Sequence, residues 1–177
     1  MYKRQGVPSI INHDDKTGIE AALTLREQVG GTVTVVSMGP PQADVALREA
    51  LAMGCDEAIL VSGREFGGSD TYATSGILAA ALKKIGYDLI ITGRQAIDGD
   101  TAQVGPQIAE KLHVPQVSYV EEIKEAAEDY VVVRRQFEDG YHIIKIKTPC
   151  LLTAIAELAT PRYMLSLIHI SEPTRRS

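Results

Sequence analysis

The chain has 177 residues, 45% hydrophobic but only 5% aromatic and without tryptophan, which suits one domain whose core is built from Ala, Val, Ile and Leu. A formal net charge of −5 at pH 7 argues against a non-specific nucleic-acid surface. The two cysteines, Cys55 and Cys150, lie far apart and exclude a disulfide framework, the four histidines lack metal-ligand spacing, and no apolar run approaches the ~20 residues of a membrane span.

In chain order, residues 14–29 predict an amphipathic helix, with Ile19, Ala22, Leu23 and Arg26 at helical spacing and Gly30-Gly31 as its stop. Gly18 inside it costs roughly 1 kcal/mol relative to alanine. TVTVVS at 32–37 is short, β-branched and nearly continuous, as a parallel strand covered on both faces should be, and MGPP ends it. Residues 43–53 predict a second helix stopped by Gly54, and EAILV at 57–61 a second strand. GREFGGSD at 63–70 ends in Asp70, a candidate N-cap for a third helix over 71–85. YDLIIT at 87–92 is the third strand.

Strands alternating with helices of this length imply crossover units and a doubly wound parallel sheet, an α/β class. The pattern then changes. Residues 117–123, 130–137 and 142–147 read as strands joined by short links, an antiparallel hairpin extension. CLLTAIAEL at 150–158 is a further strand or a short helix. No signal-peptide pattern opens the chain, and the cysteine usage fits a reducing compartment, so a cytoplasmic protein is expected. The polar start at 1–5 and the uncapped, basic-ended stretch 164–177 are read as extraneous to a single domain over 6–163.

The stretch with chemistry is ITGRQAIDGDTAQVGP at 91–106. In an open parallel sheet, ligands bind beyond the carboxyl ends of the strands, and residues 93–105 lie there. The helix that follows starts either near Thr101, with Asp100 as N-cap and Gln103 completing a capping box, or at Pro106 as its first residue. Either start aims free N–H groups and the positive end of a helix dipole at the loop, a phosphate site without lysine. The Thr101 hydroxyl and the Gln103 amide can add neutral hydrogen bonds. G-x-G-x-x-G and a GK[ST] loop are both missing, so neither a Rossmann nor a Walker site is indicated. On these principles alone, a capped helix after a long loop, with Asp98 and Asp100 serving only the backbone, stays open as an alternative. Cys55 and Cys150 read as packing rather than redox groups.

GRQAIDGDTAQVGPQIAEKL at 93–112 resembles the beta subunits of electron transfer flavoproteins. VPSIIN at 7–12, the run from Val36 to Ser62 and PRY at 161–163 support the likeness, which spans Gly6 to Tyr163. The resemblance implies an adenine nucleotide alpha hydrolase-like fold and a heterodimer with an alpha subunit that holds FAD. It implies AMP or a second FAD in the beta site, and electron transfer from flavoprotein dehydrogenases. DGDTAQVGP, through Thr101, Val104 and Pro106, resembles the bifurcating, FAD-binding type, which can belong to an NADH-dependent complex; FAD is favoured over AMP.

By the same resemblance, the nucleotide is held by Gly93, Arg94, Gln95, Ala96, Ile97, Asp98, Gly99, Asp100, Thr101, Ala102, Gln103, Val104 and Gly105. A second contact segment is Asn12, His13, Asp14 and Asp15, and a third contact is Met38. No catalytic residue and no metal ligand is expected, nor any nucleic-acid partner or membrane insertion. His13, Thr17 and Gly18 depart from the family pattern. The matching part begins after the family's opening strand and stops before its dehydrogenase-docking loop and C-terminal arm, so a fragment is expected whose central strands lack a partner. Asn12 also reads as a plain N-cap, Met38 as core packing, and Arg94 as one half of a solvated ion pair. The rival readings are an adenine-nucleotide sensor resembling universal stress proteins and an adenylating ATP pyrophosphatase-like enzyme. Both lack their phosphate loops here.

Overall fold

The computed structural model describes residues 9–97 and 99–163. Asp98 and the segments 1–5 and 164–177 lie outside the described residues. The first part runs as α1 (His13–Val29), β1 (Thr34–Met38), α2 (Asp44–Met53), β2 (Glu57–Val61), α3 (Thr71–Ile85), β3 (Leu89–Gly93) and α4 (Val104–Leu112). Then come β4 (Gln116–Ala126), β5 (Tyr130–Phe137), β6 (Gly140–Lys147) and β7 (Cys150–Ala154).

β1 and β2 pair in parallel, with Thr34 opposite Glu57. The second sheet has the order β3-β7-β4-β5-β6. Its β3, β7 and β4 are parallel, while β4, β5 and β6 form the antiparallel extension. The last apolar run is both of its alternatives in succession, a strand and then a 3-10 turn at Ala156–Leu158. β4 is longer than expected because Glu125 and Ala126 pair with Val132 and Val131, past a register shift at Lys124, instead of forming the link.

Helices cover both faces, as a doubly wound sheet requires. Ile19 and Leu23 of α1 pack with Ala50 and Met53 of α2 and with Cys55. On the other side Ala79 of α3 and Ile108, Ala109 and Leu112 of α4 pack on Ile90 and Leu151. Successive residues of β3 therefore serve opposite layers: Ile90 meets α3 and α4, while Ile91 reaches Gly18 of α1. A Cβ on Gly18 would stand 3.0 Å from Ile91 Cγ2, so the absent side chain lets α1 settle on the strand and offsets its helix penalty. A third cluster, including Val120, Val133, Cys150 and Leu152, fills the extension.

Among the described residues β1 and β3 are not hydrogen-bonded to each other. A cavity of about 1600 Å³ lies between them, lined by Val33 to Met38 on one side and by Leu89, Ile91, Thr92 and Gly93 on the other. No helix among the described residues is long and apolar enough to cross a membrane.

Candidate functional site

α4 begins at neither expected residue. It starts at Val104, with Gln103 in the cap position and no side chain capping it. The Asp100 capping box does not form, for two reasons. Asp100 has φ +48°, in the left-handed region, and its carboxylate instead accepts from the Gln95 side chain. Pro106 falls third in the helix, where a missing N–H breaks no helical bond. The first bond is Gln107 N–H to the Gln103 carbonyl at 3.0 Å, which leaves the N–H groups of Val104 and Gly105 free of helical partners. Both residues line the cavity, so a dipole end with two open donors faces it.

The loop is held from within and from both sides. Asp100 N–H donates to the Ala96 carbonyl at 3.0 Å, and Ala102 is a second non-glycine residue with positive φ, +52°. Left-handed backbone at such residues costs about 1–3 kcal/mol and persists only where surroundings impose it. On one side the Thr71 hydroxyl donates to Gln103 Oε1 at 3.2 Å, and one turn on, Ser75 Oγ lies 2.9 Å from Gln107 Oε1. These pairs clip the start of α4 to α3, whose own start is capped by Asp70 Oδ1 accepting from Ala73 N–H at 2.8 Å.

On the other side stands the first turn of α1. Asn12 occupies the cap position but makes no side-chain capping bond; its Nδ2 donates to the Gln95 carbonyl at 2.7 Å instead. Asp15 Oδ1 accepts the Gly93 N–H at 2.6 Å. Burial pushes the Asp15 carboxyl above the usual aspartate range, against the opposing pull of that Gly93 bond. Arg94 Nε lies 3.6 Å from Asp14 Oδ2, a loose ion pair in which Nε makes no hydrogen bond among the described residues.

Asn12, Asp15, Met38, Gly93, Arg94, Gln95, Ala96, Ile97, Thr101, Ala102, Gln103, Val104 and Gly105 all line the one cavity. His13, Asp14, Gly99 and Asp100 stand outside its lining. Met38 ends β1 across the cavity from Gly93. Thr92 was not anticipated. Its Oγ1 is buried with no hydrogen-bond partner among the described residues, although its side chain borders the cavity beside Gly105. Only the β3 register, which ends the strand at Gly93, could have drawn attention to it. Ser75 and Gln107 were missed too, although their spacing repeats that of Thr71 and Gln103. No group of His, Cys, Asp and Glu side chains among the described residues is placed to hold a metal.

An open α/β domain, with a cavity that runs between β1 and β3 to their carboxyl ends and a lysine-free helix start beside it, is a nucleotide-binding type of architecture. The electron transfer flavoprotein domain matches residues 1–173, and the chain belongs to that family. It is 63% identical over 160 residues to an electron transfer flavoprotein subunit beta of Thermoanaerobacterium thermosaccharolyticum, a match covering 90% of this chain and 61% of that protein. It is 58% identical to the caffeyl-CoA reductase-Etf complex subunit CarD of Acetobacterium woodii, covering 91% of this chain and 62% of CarD. With protein FixA of Azotobacter vinelandii the identity is 51%, over 86% of this chain and 56% of FixA. The chain thus spans about 61% of the length of the first of these relatives. Kinship with electron-transfer subunits disfavours the sensor and adenylating-enzyme readings.

Proposed function

We propose that this chain is the nucleotide-holding part of an electron transfer flavoprotein beta subunit. It acts with an alpha subunit to carry electrons between flavoprotein dehydrogenases and an acceptor in the cytoplasm. The loop 93–105, with Asp98 within it, Met38 and the start of α1 form the cofactor site. The observation that carries this reading is the pair of amides at Val104 and Gly105, which have no helical partner and belong to residues lining one cavity, with the buried Thr92 hydroxyl, unpartnered among the described residues, beside them. Such a donor set suits phosphate oxygens, which accept only.

FAD is the proposed ligand in preference to AMP. Supporting this are the DGDTAQVGP sequence and the similarity to a reductase–Etf complex subunit and to FixA, which also make flavin-based bifurcation the proposed mode. A bound flavin supplies the redox chemistry; the residues here bind and orient it. The test is to purify the full-length beta subunit with its companion, denature the pair and identify the released nucleotide by chromatography. More than one FAD per heterodimer is the expected result. One FAD with one AMP would replace FAD by AMP at this site, and a complex free of any adenylate would end the nucleotide reading.

A further inference from the structure

We propose that Asp15 is a positioning residue for the nucleotide loop: its carboxylate oxygen fixes the first turn beyond β3, and nucleotide affinity depends on that fixed turn rather than on a contact between Asp15 and the ligand. The inference rests on the nucleotide reading above. Successive N–H groups of a strand point to opposite edges. Arg94 N–H goes to the Ala154 carbonyl of β7 at 2.9 Å, so Gly93 N–H points to the other edge, the one beside the cavity. There the edge has no strand bonded to it among the described residues, and Asp15 Oδ1 takes the donor at 2.6 Å.

The contact is too close for any side chain on the strand. A Cβ on Gly93 would lie 2.7 Å from Asp15 Oδ1 and 2.9 Å from Asp15 N. Its neighbours extend the same hold, Asn12 on Gln95 and Asp14 on Arg94, so one turn of α1 engages three consecutive residues of the loop. A carboxylate is a poor direct partner for phosphate, since both are anionic and both only accept. What Asp15 has to offer is an acceptor for a backbone donor that has no other acceptor among the described residues. An amide oxygen in the same place can accept the same N–H, so the hold does not require the charge.

The experiment uses the full-length beta subunit with its companion, freed of beta-site nucleotide and titrated with AMP and with FAD. Asp15→Ala weakens the tighter of the two about tenfold, the worth of one buried hydrogen bond, whereas Asp15→Asn stays within about threefold of wild type on the same scale. Amide hydrogen exchange at Gly93 speeds up in Asp15→Ala and not in Asp15→Asn. If the alanine variant does not fold, Asp15→Leu, which keeps the branched shape but has no acceptor, takes its place. Unchanged affinity in Asp15→Ala overturns the proposal, and so does an equal loss in Asp15→Asn, which would mark a charge acting on the ligand. Should wild type bind neither AMP nor FAD, the nucleotide reading fails, and exchange at Gly93 still reads the contact by itself.

Discussion

Gly105 and Thr92 touch: a Cβ on Gly105 would stand 2.7 Å from Thr92 Oγ1 and 2.9 Å from Thr153 Cγ2. The start of α4 thus lies directly on the ends of β3 and β7. Gly105→Ala must push that start outward, at a cost of about 1–3 kcal/mol from overpacking. Denaturant titration of the full-length protein measures the loss, and nucleotide affinity falls with it because the two free amides move.

Thr92→Val separates stability from binding. It removes a buried hydroxyl that has no partner among the described residues and keeps the branched shape. The ligand-free protein should be unchanged or more stable by up to about 1 kcal/mol, because an unsatisfied polar atom is lost. Nucleotide affinity should drop about tenfold if the hydroxyl meets the ligand. Thermal melts without and with added nucleotide check both halves, and a variant that binds as tightly as wild type removes Thr92 from the site.

Arg162 binds Glu20 through its backbone N–H at 3.0 Å and through Nε and a terminal nitrogen, and reaches Glu27 at 2.8 Å. The guanidinium holds the Glu20 carboxyl below its ordinary value of 4.5. A depressed folded-state pKa adds stability that is complete above the unfolded value and lost as pH falls through the folded one. Arg162→Met should cost about 2 kcal/mol near neutral pH, between the exposed and buried extremes for ion pairs. Urea midpoints measured from pH 7 down to 3 should show the gap between variant and wild type closing below pH 4.5.

Cys55 and Cys150 are both buried, and burial pushes each thiol from 9.0 up to about 11. The neutral thiol favoured by folding gives stability that is full below pH 9.0 and fades as pH rises towards 11. At pH 8 the native thiols should resist a disulfide reagent and react fully once denaturant is added. A fast reaction in the native protein would place one of them in an exposed, electropositive setting.

Among the described residues the edges of β1 and β3 stand apart with a large cavity between them, so the 177-residue chain should melt broadly and bind hydrophobic dyes. A single sharp, reversible transition with full sheet content would contradict this.

Much of the scaffold was legible locally. Asp70 before an apolar-periodic run marked the start of the third helix, and EAILV was legible as a strand, although it is half-buried rather than covered on both faces. The loop was legible as a ligand-facing connection but not in its detail. Asp100 carries the signature of a cap, yet a left-handed backbone and the Gln95 side chain redirect it. Asn12 likewise sits in a cap position while its side chain reaches a carbonyl 83 residues away. Such partnerships come from the packing of α1 on β3, and no local pattern encodes them. The Gly18 penalty was legible, but its compensation by Ile91 was not, for the same reason.

α1 is a rod of 17 residues, about 25 Å long. Its leading turn grips the loop after β3, and its middle and far turns grip Arg162. The same helix thus anchors two distant stretches of chain: Glu20 and Glu27 hold Arg162, while Asp15 and Asn12, in the cap position, hold Gly93 and Gln95, so a substitution that tilts α1 disturbs both sets of contacts at once.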